Sequence, residues 1–224
     1  MEQDWDARAR ENALRWIAEV EDEGEFDRLG ERDSQIILEG LGGRLPAEGR
    51  CLEIGCGIGR IMKHLVSSFR EVHGVDVSAE MVARGRKRLV SLPSVYFHKS
   101  DGTNLAVFSS GSFDVVYSYI AFQHMPRKVV YSYFGEVSRV LRAGGVFWFQ
   151  MFRPHTVPHL IKYYVLRRDK PDSDTSGIRR YSRGELTRMA RMFRFEVLSI
   201  EKRGLHWFCT LRNPVGSLGS HAAN

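Results

Sequence analysis

The stretch that decides the fold is CLEIGCGIGR, at residues 51–60. Its first four residues form a short apolar run that predicts a β-strand, and the glycines after it allow the backbone to turn sharply. A helix is expected next, with its N-terminal N–H groups pointing at whatever lies on the turn. A strand, a glycine turn and a helix in this order predict the first unit of a parallel α/β sheet.

The spacing of the glycines narrows the choice of ligand. They stand at positions 55, 57 and 59, after the acidic Glu53. A dinucleotide-binding turn has the spacing G-x-G-x-x-G and places a pyrophosphate at the helix N-terminus. S-adenosylmethionine has an amino-acid end and no phosphate, and Glu53 can hold its ammonium group directly or through water. We therefore expect Glu53, Gly55, Cys56 and Gly57 to line an S-adenosylmethionine site; a tight turn that binds nothing is the alternative.

Apolar runs and helical patterns alternate along the rest of the chain. We expect strands at 51–54, 71–75, 95–98, 113–117, 146–151, 195–200 and 205–211, the last two joined as a hairpin. We expect helices at 5–20, 27–41, 58–69, 78–90, 127–141 and 182–193, with a loop at 21–25. Strands that alternate with helices imply βαβ units, so the predicted fold class is α/β with a parallel sheet.

The ends of the chain and one internal segment depart from this alternation. Residues 152–181 carry several prolines, basic residues and tyrosines, which is typical of a functional loop such as a lid. The last residues are small and polar, and we expect them to be disordered. We therefore divide the chain into an N-terminal helical cap at 1–45, an α/β domain at 46–212 with a lid-like insertion at 152–181, and a tail at 213–224.

An acidic residue ends the second strand, within GVDVS at residues 74–78. A carboxylate at the position of Asp76 can accept hydrogen bonds from both ribose hydroxyls of a nucleoside. The alternative is that Asp76 caps the following helix, but Ser78 stands at the better position for that role. We expect Asp76 to bind the ribose, with contacts from its neighbours Val77 and Met81.

A second polar motif, SDGT at residues 100–103, follows the third strand. Asp101 can accept a hydrogen bond from the adenine amino group, while the Gly102 N–H can donate to a ring nitrogen. We include Thr103, and Ser118 at the end of the fourth strand, among the expected cofactor contacts. A polar turn without a ligand is the alternative.

The segment after the fourth strand is SYIAFQHM, at residues 118–125. Its apolar and aromatic residues are suited to flank a reacting methyl group. His124 is the obvious base near this edge, and histidine titrates near neutral pH, so it can accept a proton from a hydroxyl or an amine. The alternative is a histidine that bonds to the backbone or to the amino-acid end of the cofactor. His124 is our candidate catalytic residue.

A family resemblance lies in four segments: LEIGCGIGR at 52–60, GVDVS at 74–78, FQHMP at 122–126 and RVLRAGG at 139–145. Together they resemble the class I S-adenosylmethionine-dependent methyltransferases, most of all the small bacterial type 11 and type 25 domains, over about residues 50–151. The resemblance implies a Rossmann-like sheet of seven strands, with helices on both faces and an antiparallel last strand. It also implies cofactor roles for Glu53, Gly55, Gly57, Asp76 and Asp101, and it names no methyl acceptor.

Composition and net charge indicate which kinds of binding partner are favoured. The chain has 224 residues, a formal net charge of +6 and a pI near 9.4. This mild basicity favours anionic partners, but recognition of nucleic acid also needs a reading element, which we do not identify. Basic residues between 153 and 183 either hold an anionic acceptor or form a solvated surface. They are Arg153, Lys162, Arg167, Arg168, Lys170, Arg179, Arg180 and Arg183.

Targeting and metal signals are not found in the sequence. The acidic N-terminus lacks the basic-then-apolar order of a signal peptide, and no apolar run approaches the roughly 20 residues of a membrane span. We therefore expect a cytoplasmic protein without a membrane partner. Cys51, Cys56 and Cys209 have no metal-ligand spacing, so we expect no metal and interpret them as buried or ligand-lining thiols.

The function predicted from these motifs is methyl transfer from S-adenosylmethionine to an oxygen or nitrogen of a small molecule, with an anionic acceptor as one option. A nucleic-acid or protein methyltransferase is an alternative, although the segment after the fourth strand lacks the proline turn and the cysteine nucleophile of base methylation. A non-catalytic S-adenosylmethionine-binding module is a second alternative. A nicotinamide oxidoreductase is disfavoured by the glycine spacing. The oligomeric state is left open.

Overall fold

A computed structural model describes residues 1–44, 46, 48–154 and 177–215. Its helices are α1 Glu2–Ala18, α2 Glu23–Leu41, α3 Met62–Leu65, α4 Ala79–Arg88, α5 Arg127–Val140 and α6 Arg183–Met192. Its strands are β1 Arg50–Ile54, β2 Glu71–Asp76, β3 Val95–Lys99, β4 Phe113–Ser118, β5 Leu141–Phe152, β6 Glu196–Arg203 and β7 His206–Arg212. A short 3-10 turn, Phe122–His124, lies between β4 and α5.

The seven strands form one sheet in the order β3-β2-β1-β4-β5-β7-β6. Strands β1 to β5 are parallel to one another, whereas β7 is antiparallel to both β5 and β6. The predicted α/β fold, with seven mostly parallel strands and a C-terminal antiparallel hairpin, is confirmed. The strand order reverses between β1 and β4, and ligands of open α/β sheets bind in the crevice at such a point.

Alternate residues of the central strands face two separate cores, one on each side of the sheet. Leu52 and Ile54 of β1 pack with residues of α5 and α6. Their neighbour Cys51 packs instead with residues of α2, α3 and α4. Because successive strand residues are buried on opposite faces, both faces must be covered by helices, as in other parallel sheets. The predicted arrangement with helices on both faces is confirmed.

The helix predicted at 58–69 is shorter in the structure. Gly57 and Gly59 have positive φ angles of 53° and 79°. Left-handed residues cannot continue a right-handed helix, so the backbone stays in turns until α3 begins at Met62. The glycines that create the ligand-binding turn thus also delay the helix after it.

The two N-terminal helices have other bounds than the pattern predicts. Instead of the predicted loop at 21–25, α2 begins at Glu23, because the Asp22 side chain caps it and accepts a hydrogen bond from the Glu25 N–H at 2.7 Å. Helix α1 begins at Glu2 and is interrupted at Asn12, which has an extended backbone with φ −165° and ψ 99°. The apolar pattern located both helices but not this break.

The first two helices pack directly on the α/β domain. Their apolar side chains form one cluster with Ile58, from the glycine turn, and Met81, from α4. Ser78, at the N-terminus of α4, donates a hydrogen bond to Asp6 of α1. The helical cap therefore covers the side of the domain that carries the glycine turn, while the division of the chain at residue 45 stays a prediction.

The predicted start of the tail needs a correction at Asn213. This residue is buried, and its backbone bonds to the first part of β5, which begins at Leu141 rather than at the predicted residue 146. Its N–H donates to Gly145 O, and its carbonyl accepts from Gly144 N, both at 2.8 Å. Its side-chain Nδ2 also donates to Leu141 O at 3.1 Å. Asn213 therefore belongs to the folded domain.

Two predicted segments, the lid-like insertion and the tail, lie mainly outside the described residues. Residues 155–176, most of the lid-like insertion, are outside the described residues, and so are residues 216–224 of the tail. Within the described residues, no helix is both long and apolar enough to cross a membrane.

Candidate functional site

A cavity opens at the carboxyl ends of β1, β2 and β4, where the strand order reverses. Counted out to its open mouth, the space among its lining residues amounts to about 880 Å³. Its lining comes from the glycine turn, from the ends of these strands and from α1. The lining residues of the sheet side are Glu53, Gly55, Cys56, Gly57, Arg60, Ile61, Val75, Asp76, Val77, Met81 and Gly102. Those after β4 are Tyr119, Ile120, Ala121, His124 and Met125, with Tyr133 from α5.

The glycine turn presents bare main chain to this cavity. Gly55 has a φ of 77°, and a Cβ atom there would lie 2.4 Å from the Cβ of Ala121. The N–H groups of Gly55 and Cys56 both donate to Val75 O, at 2.9 and 3.1 Å. The turn is thus tied to β2 and leaves no room for a side chain at position 55, so a ligand can approach the backbone closely.

Glu53 lies at the base of the cavity and is almost fully buried. Burial raises the pKa of its carboxyl group to about 8, although the hydrogen bond from Tyr117 and the positive charge of Arg60 oppose the rise. The Tyr117 hydroxyl donates to Glu53 Oε2 at 2.8 Å. A buried acid of this kind is a partner for a ligand cation, because a positive charge brought beside it restores its ionised form.

Tyr117 was missed by sequence reasoning. It is fully buried and is the direct partner of Glu53 across the β1–β4 pair. The sequence carried one indication of this contact: side chains of β4 alternate between the two faces of the sheet, and Tyr117 lies on the same face as Glu53. The register between the two strands, which the sequence does not give, was needed to use it.

Asp76 joins the glycine turn to the start of α4. Its Oδ2 accepts from the Gly57 N–H and its Oδ1 from the Ser78 N–H, both at 2.9 Å. Burial raises the pKa of Asp76, and these backbone hydrogen bonds oppose that rise. Ser78 caps α4 by accepting from the Met81 N–H at 3.0 Å, as the sequence predicts. Asp76 thus ties the glycine turn to the start of α4 and lines the cavity, and its binding of a ribose stays a prediction.

The structure does not bring Asp101 and Thr103 into the cavity. Asp101 is exposed and accepts from the Thr103 N–H and hydroxyl, at 2.7 and 2.8 Å, and from Asn104 Nδ2 at 2.6 Å. These bonds, with that of the Thr103 N–H first, lower the pKa of Asp101. The motif forms the polar turn that was its alternative interpretation, and only its Gly102 lines the cavity.

The remaining predicted contacts divide into two groups. Cys56, Val77 and Met81 line the cavity, and burial raises the pKa of the Cys56 thiol well above its usual value. Ser118 is fully buried outside the lining, and its hydroxyl donates to Ile54 O at 3.1 Å. Ser118 therefore ties β4 to β1 below the cavity.

His124 lines the same cavity from the 3-10 turn that follows β4. Its ring lies edge-on to Trp5 of α1, with 6.1 Å between ring centroids. Its Nε2 is 3.3 Å from Gln123 Nε2. The structure thus brings the candidate base to the same cavity as Glu53 and Asp76.

Helix α1 supplies a wall that the sequence did not assign to the site. Met1 and Trp5, before the break at Asn12, and Trp16 and Ile17, after it, all line the cavity. The guanidinium of Arg8 lies over the rings of Trp5 and Trp16, at 4.6 and 4.9 Å from their centroids. The amphipathic pattern of α1 gave the apolar face, but not the surface that this face covers.

A buried ion pair forms another part of the wall. Arg60, directly after the glycine turn, donates through Nη1 to Asp33 Oδ2 of α2 at 2.7 Å. Both side chains are almost fully buried. Tyr119 also lines the cavity, and burial, with the nearby charge of Asp33, raises its pKa to about 12. Asp33 also accepts from Arg32 at 2.8 Å, so two arginines share this carboxylate, and Arg60 is the one that faces the cavity.

This arrangement fits S-adenosylmethionine. The glycine main chain gives a close surface without side chains, and the acids Glu53 and Asp76, which we expect to hold the ammonium group and the ribose, line the same cavity. Apolar side chains surround the remaining space. Fold and site together resemble those of the class I Rossmann-like proteins that bind S-adenosylmethionine.

Comparison with known proteins agrees. Residues 51–145 match a family described as a methyltransferase domain. A 2-methyl-6-phytyl-1,4-hydroquinone methyltransferase of Synechocystis is 35% identical over 103 residues, which are 46% of this chain and 31% of that protein. The crystal structure of a SAM-dependent methyltransferase from Methanosarcina mazei has a TM-score of 0.65 at 21% identity, over 80% of this chain and 97% of that one. The structure of a [4+2]-cyclase has the same TM-score at 18% identity, over 83% and 81%.

The chain resembles, over residues 51–145, the class I S-adenosylmethionine-dependent methyltransferases, whose cofactor is S-adenosylmethionine. It spans between 31% and 63% of the length of the first three curated relatives that it matches. The acceptor and the reaction of the whole protein are therefore considered below as proposals.

Proposed function

We propose that the chain transfers a methyl group from S-adenosylmethionine to an oxygen or nitrogen of a small molecule, by direct in-line displacement. The observation that carries the proposal is that the glycine turn, Glu53, Asp76 and His124 line one cavity. When bound there, S-adenosylmethionine supplies a methyl group that its positive sulfonium has already activated. The protein has to position the acceptor, exclude water and accept one proton.

The walls of the cavity favour an acceptor with a small and mainly apolar body. Away from the glycine turn, the lining consists of Trp5, Trp16, Ile17, Ile61, Ile120 and Met125, among others. Arg60 lines the cavity but is already paired, at 2.7 Å, with Asp33, a carboxylate that it shares with Arg32. Among the described residues, the lining offers no unpaired arginine or lysine for an anionic acceptor, so the apolar form of the proposal is the better supported one.

His124 is the proposed general base. A hydroxyl or a protonated amine must lose a proton during transfer, and histidine can accept one near neutral pH. The edge-on contact with Trp5 places apolar surface beside the imidazole, which helps to keep water away from a reacting acceptor.

Replacing this base tests the proposal. His124→Ala is expected to lower kcat by about 10²-fold or more, while the affinity for S-adenosylhomocysteine stays nearly unchanged. Turnover is measured as S-adenosylhomocysteine release with pooled small metabolites, and affinity by calorimetry. His206→Ala, on β7 outside the cavity lining, is the matched control. If His124→Ala instead loses cofactor binding and keeps its turnover at saturation, His124 belongs to the cofactor pocket.

A second candidate is cofactor binding without methyl transfer. The structural neighbour described as a [4+2]-cyclase shares the fold, and one fold can host different chemistry or none. Binding of S-adenosylmethionine without S-adenosylhomocysteine release from any metabolite pool would support it. A nucleic-acid acceptor would instead be indicated by binding to tRNA or DNA with a steep salt dependence.

A further inference from the structure

Residues 177–181 bring the chain back to the sheet beside the turn that carries His124. Arg180 forms a parallel bridge with Phe152 of β5, and the Tyr181 N–H donates to Phe152 O at 2.9 Å. Trp207 of β7 donates through Nε1 to Tyr181 O, also at 2.9 Å. These bonds fix the segment to two strands of the sheet.

Arg179, in the middle of this segment, takes no part in the function proposed above. Its side chain is only 1% exposed, and a buried cation requires hydrogen-bond acceptors. Its backbone N–H donates to Gln123 O at 2.8 Å, and its Nη1 donates to His124 O at 3.0 Å. Both carbonyls lie at the C-terminal end of the 3-10 turn, where backbone oxygens lack partners within the turn and attract positive charge.

The start of the segment before this turn is strained. Ile120 has a φ of 60°, a left-handed conformation that a β-branched residue rarely adopts. Its N–H donates to the side-chain Oε1 of the buried Gln150 at 3.2 Å. Strained backbone persists where the surrounding structure holds it in place, and such positions are common at functional sites. Gln150 holds the start of the 120–124 segment, and Arg179 holds its end.

We propose that Arg179 is a positioning residue that keeps the 3-10 turn in the conformation presenting His124 to the cavity. The proposal rests on the proposed function, since it gives His124 a part in methyl transfer. Arg179 does not itself line the cavity, whereas the glycine turn, Glu53 and Asp76 do. Its loss should therefore disturb His124 and leave the cofactor contacts intact.

The first experiment observes the imidazole directly. In protein with ¹³C-labelled histidine, the ring signal of His124 is assigned by its absence in His124→Gln. Arg179→Met removes the donor and keeps much of the apolar stem, and it is expected to shift or broaden this signal at constant pH. Arg179→Lys, which retains a charged donor, should restore part of the original His124 signal. Arg191 is an exposed arginine of α6, and Arg191→Met should leave the signal unchanged. Calorimetry with S-adenosylhomocysteine should give a Kd within about twofold of the original in all of them.

The second experiment measures turnover as S-adenosylhomocysteine release. Arg179→Met is expected to lower kcat by about tenfold to a hundredfold, since a small misplacement of a reacting group has effects of this size, and Arg179→Lys should recover part of the loss. If Arg179→Met does not fold, Arg179→Gln replaces it, because its shorter neutral side chain also breaks the contact with His124 O.

Two results separate this proposal from the function on which it rests. A folded Arg179→Met or Arg179→Gln protein with the original His124 signal and kcat would overturn the positioning role. A His124→Ala protein with full turnover would overturn the base assignment, whereas the effect of Arg179 on the His124 signal would still be observed.

Discussion

At the scale of single residues, Asp76 is the acid most directly tied to the cofactor site. Asp76→Ala is expected to weaken S-adenosylhomocysteine binding by about 1–3 kcal/mol, because it removes the acceptor for the Gly57 N–H and for the proposed ribose contact. Asp101→Ala is the matched control: its carboxylate bonds to its own exposed turn, so binding should change by less than about 0.5 kcal/mol. Calorimetry checks both. If Asp101→Ala weakened cofactor binding and Asp76→Ala did not, Asp101 and not Asp76 would be the residue that binds the cofactor.

Glu53 predicts a pH dependence of cofactor binding. Burial raises its pKa to about 8, so it is protonated at neutral pH in the free protein and must lose that proton to pair with an ammonium group. Binding should then release a proton below about pH 8, and affinity should rise with pH by at most about tenfold per unit up to that value. Calorimetry at several pH values, in buffers of different ionisation enthalpy, measures both effects.

Glu53→Gln is the control for this pH dependence. It removes the titrating group, so the rise in affinity between about pH 6 and 8 should flatten. A variant that keeps the full slope would show that another group releases the proton.

The residues of the site were predictable from the sequence to different degrees. The glycine turn, Glu53 and Asp76 are adjacent in sequence to the strand ends that place them, so spacing was sufficient. Tyr117 was missed because its contact with Glu53 depends on strand register. Asp101 was assigned to the adenine because the pattern could not show that the local donors of Thr103 and Asn104 satisfy it first.

At the scale of elements, the Asp33–Arg60 pair joins α2 to the end of the glycine turn. Both side chains are almost fully buried. Asp33→Ala is expected to lower the free energy of unfolding by about 3–5 kcal/mol, since it leaves a buried arginine without its partner. Chemical denaturation measures the change, and cofactor affinity is not used as the readout because Arg60 lines the cavity.

Two comparisons make the Asp33 prediction specific. Glu201→Ala breaks the exposed pair with Arg203 and should cost no more than about 1 kcal/mol. The double variant Asp33→Leu, Arg60→Met replaces both charges by apolar groups and should recover most of the loss. Equal stability of Asp33→Ala and the original protein would mean that α2 does not depend on this pair.

The elements themselves followed from periodicity, whereas their ends and contacts did not. Short apolar runs predicted the strands. The helix after the glycine turn was predicted to begin at residue 58, which is too early, because the left-handed Gly57 and Gly59 delay its start. The break at Asn12 and the contact between Arg60 and Asp33 depend on tertiary packing, since these two side chains are 27 positions apart. Local pattern carries no information on either.

At the scale of the whole molecule, the strand order creates a crevice between β1 and β4, and the α1 wall encloses it. The sheet places Glu53 and Asp76 on one part of the cavity lining, and the segment after β4 adds His124. The class of protein follows from this arrangement and from the comparisons with known methyltransferases. The acceptor is the part of the account that a direct measurement has to establish.

The most direct test of methyl transfer to a small molecule uses S-adenosylmethionine labelled in its methyl group. The protein is incubated with this cofactor and with separate pools of small metabolites, tRNA and cellular protein. The account predicts label in the small-metabolite fraction, one S-adenosylhomocysteine released for each methyl group transferred, and loss of both signals by about 10²-fold or more in His124→Ala. Label that accumulates in tRNA or protein, or cofactor binding with no release in any pool, would contradict it.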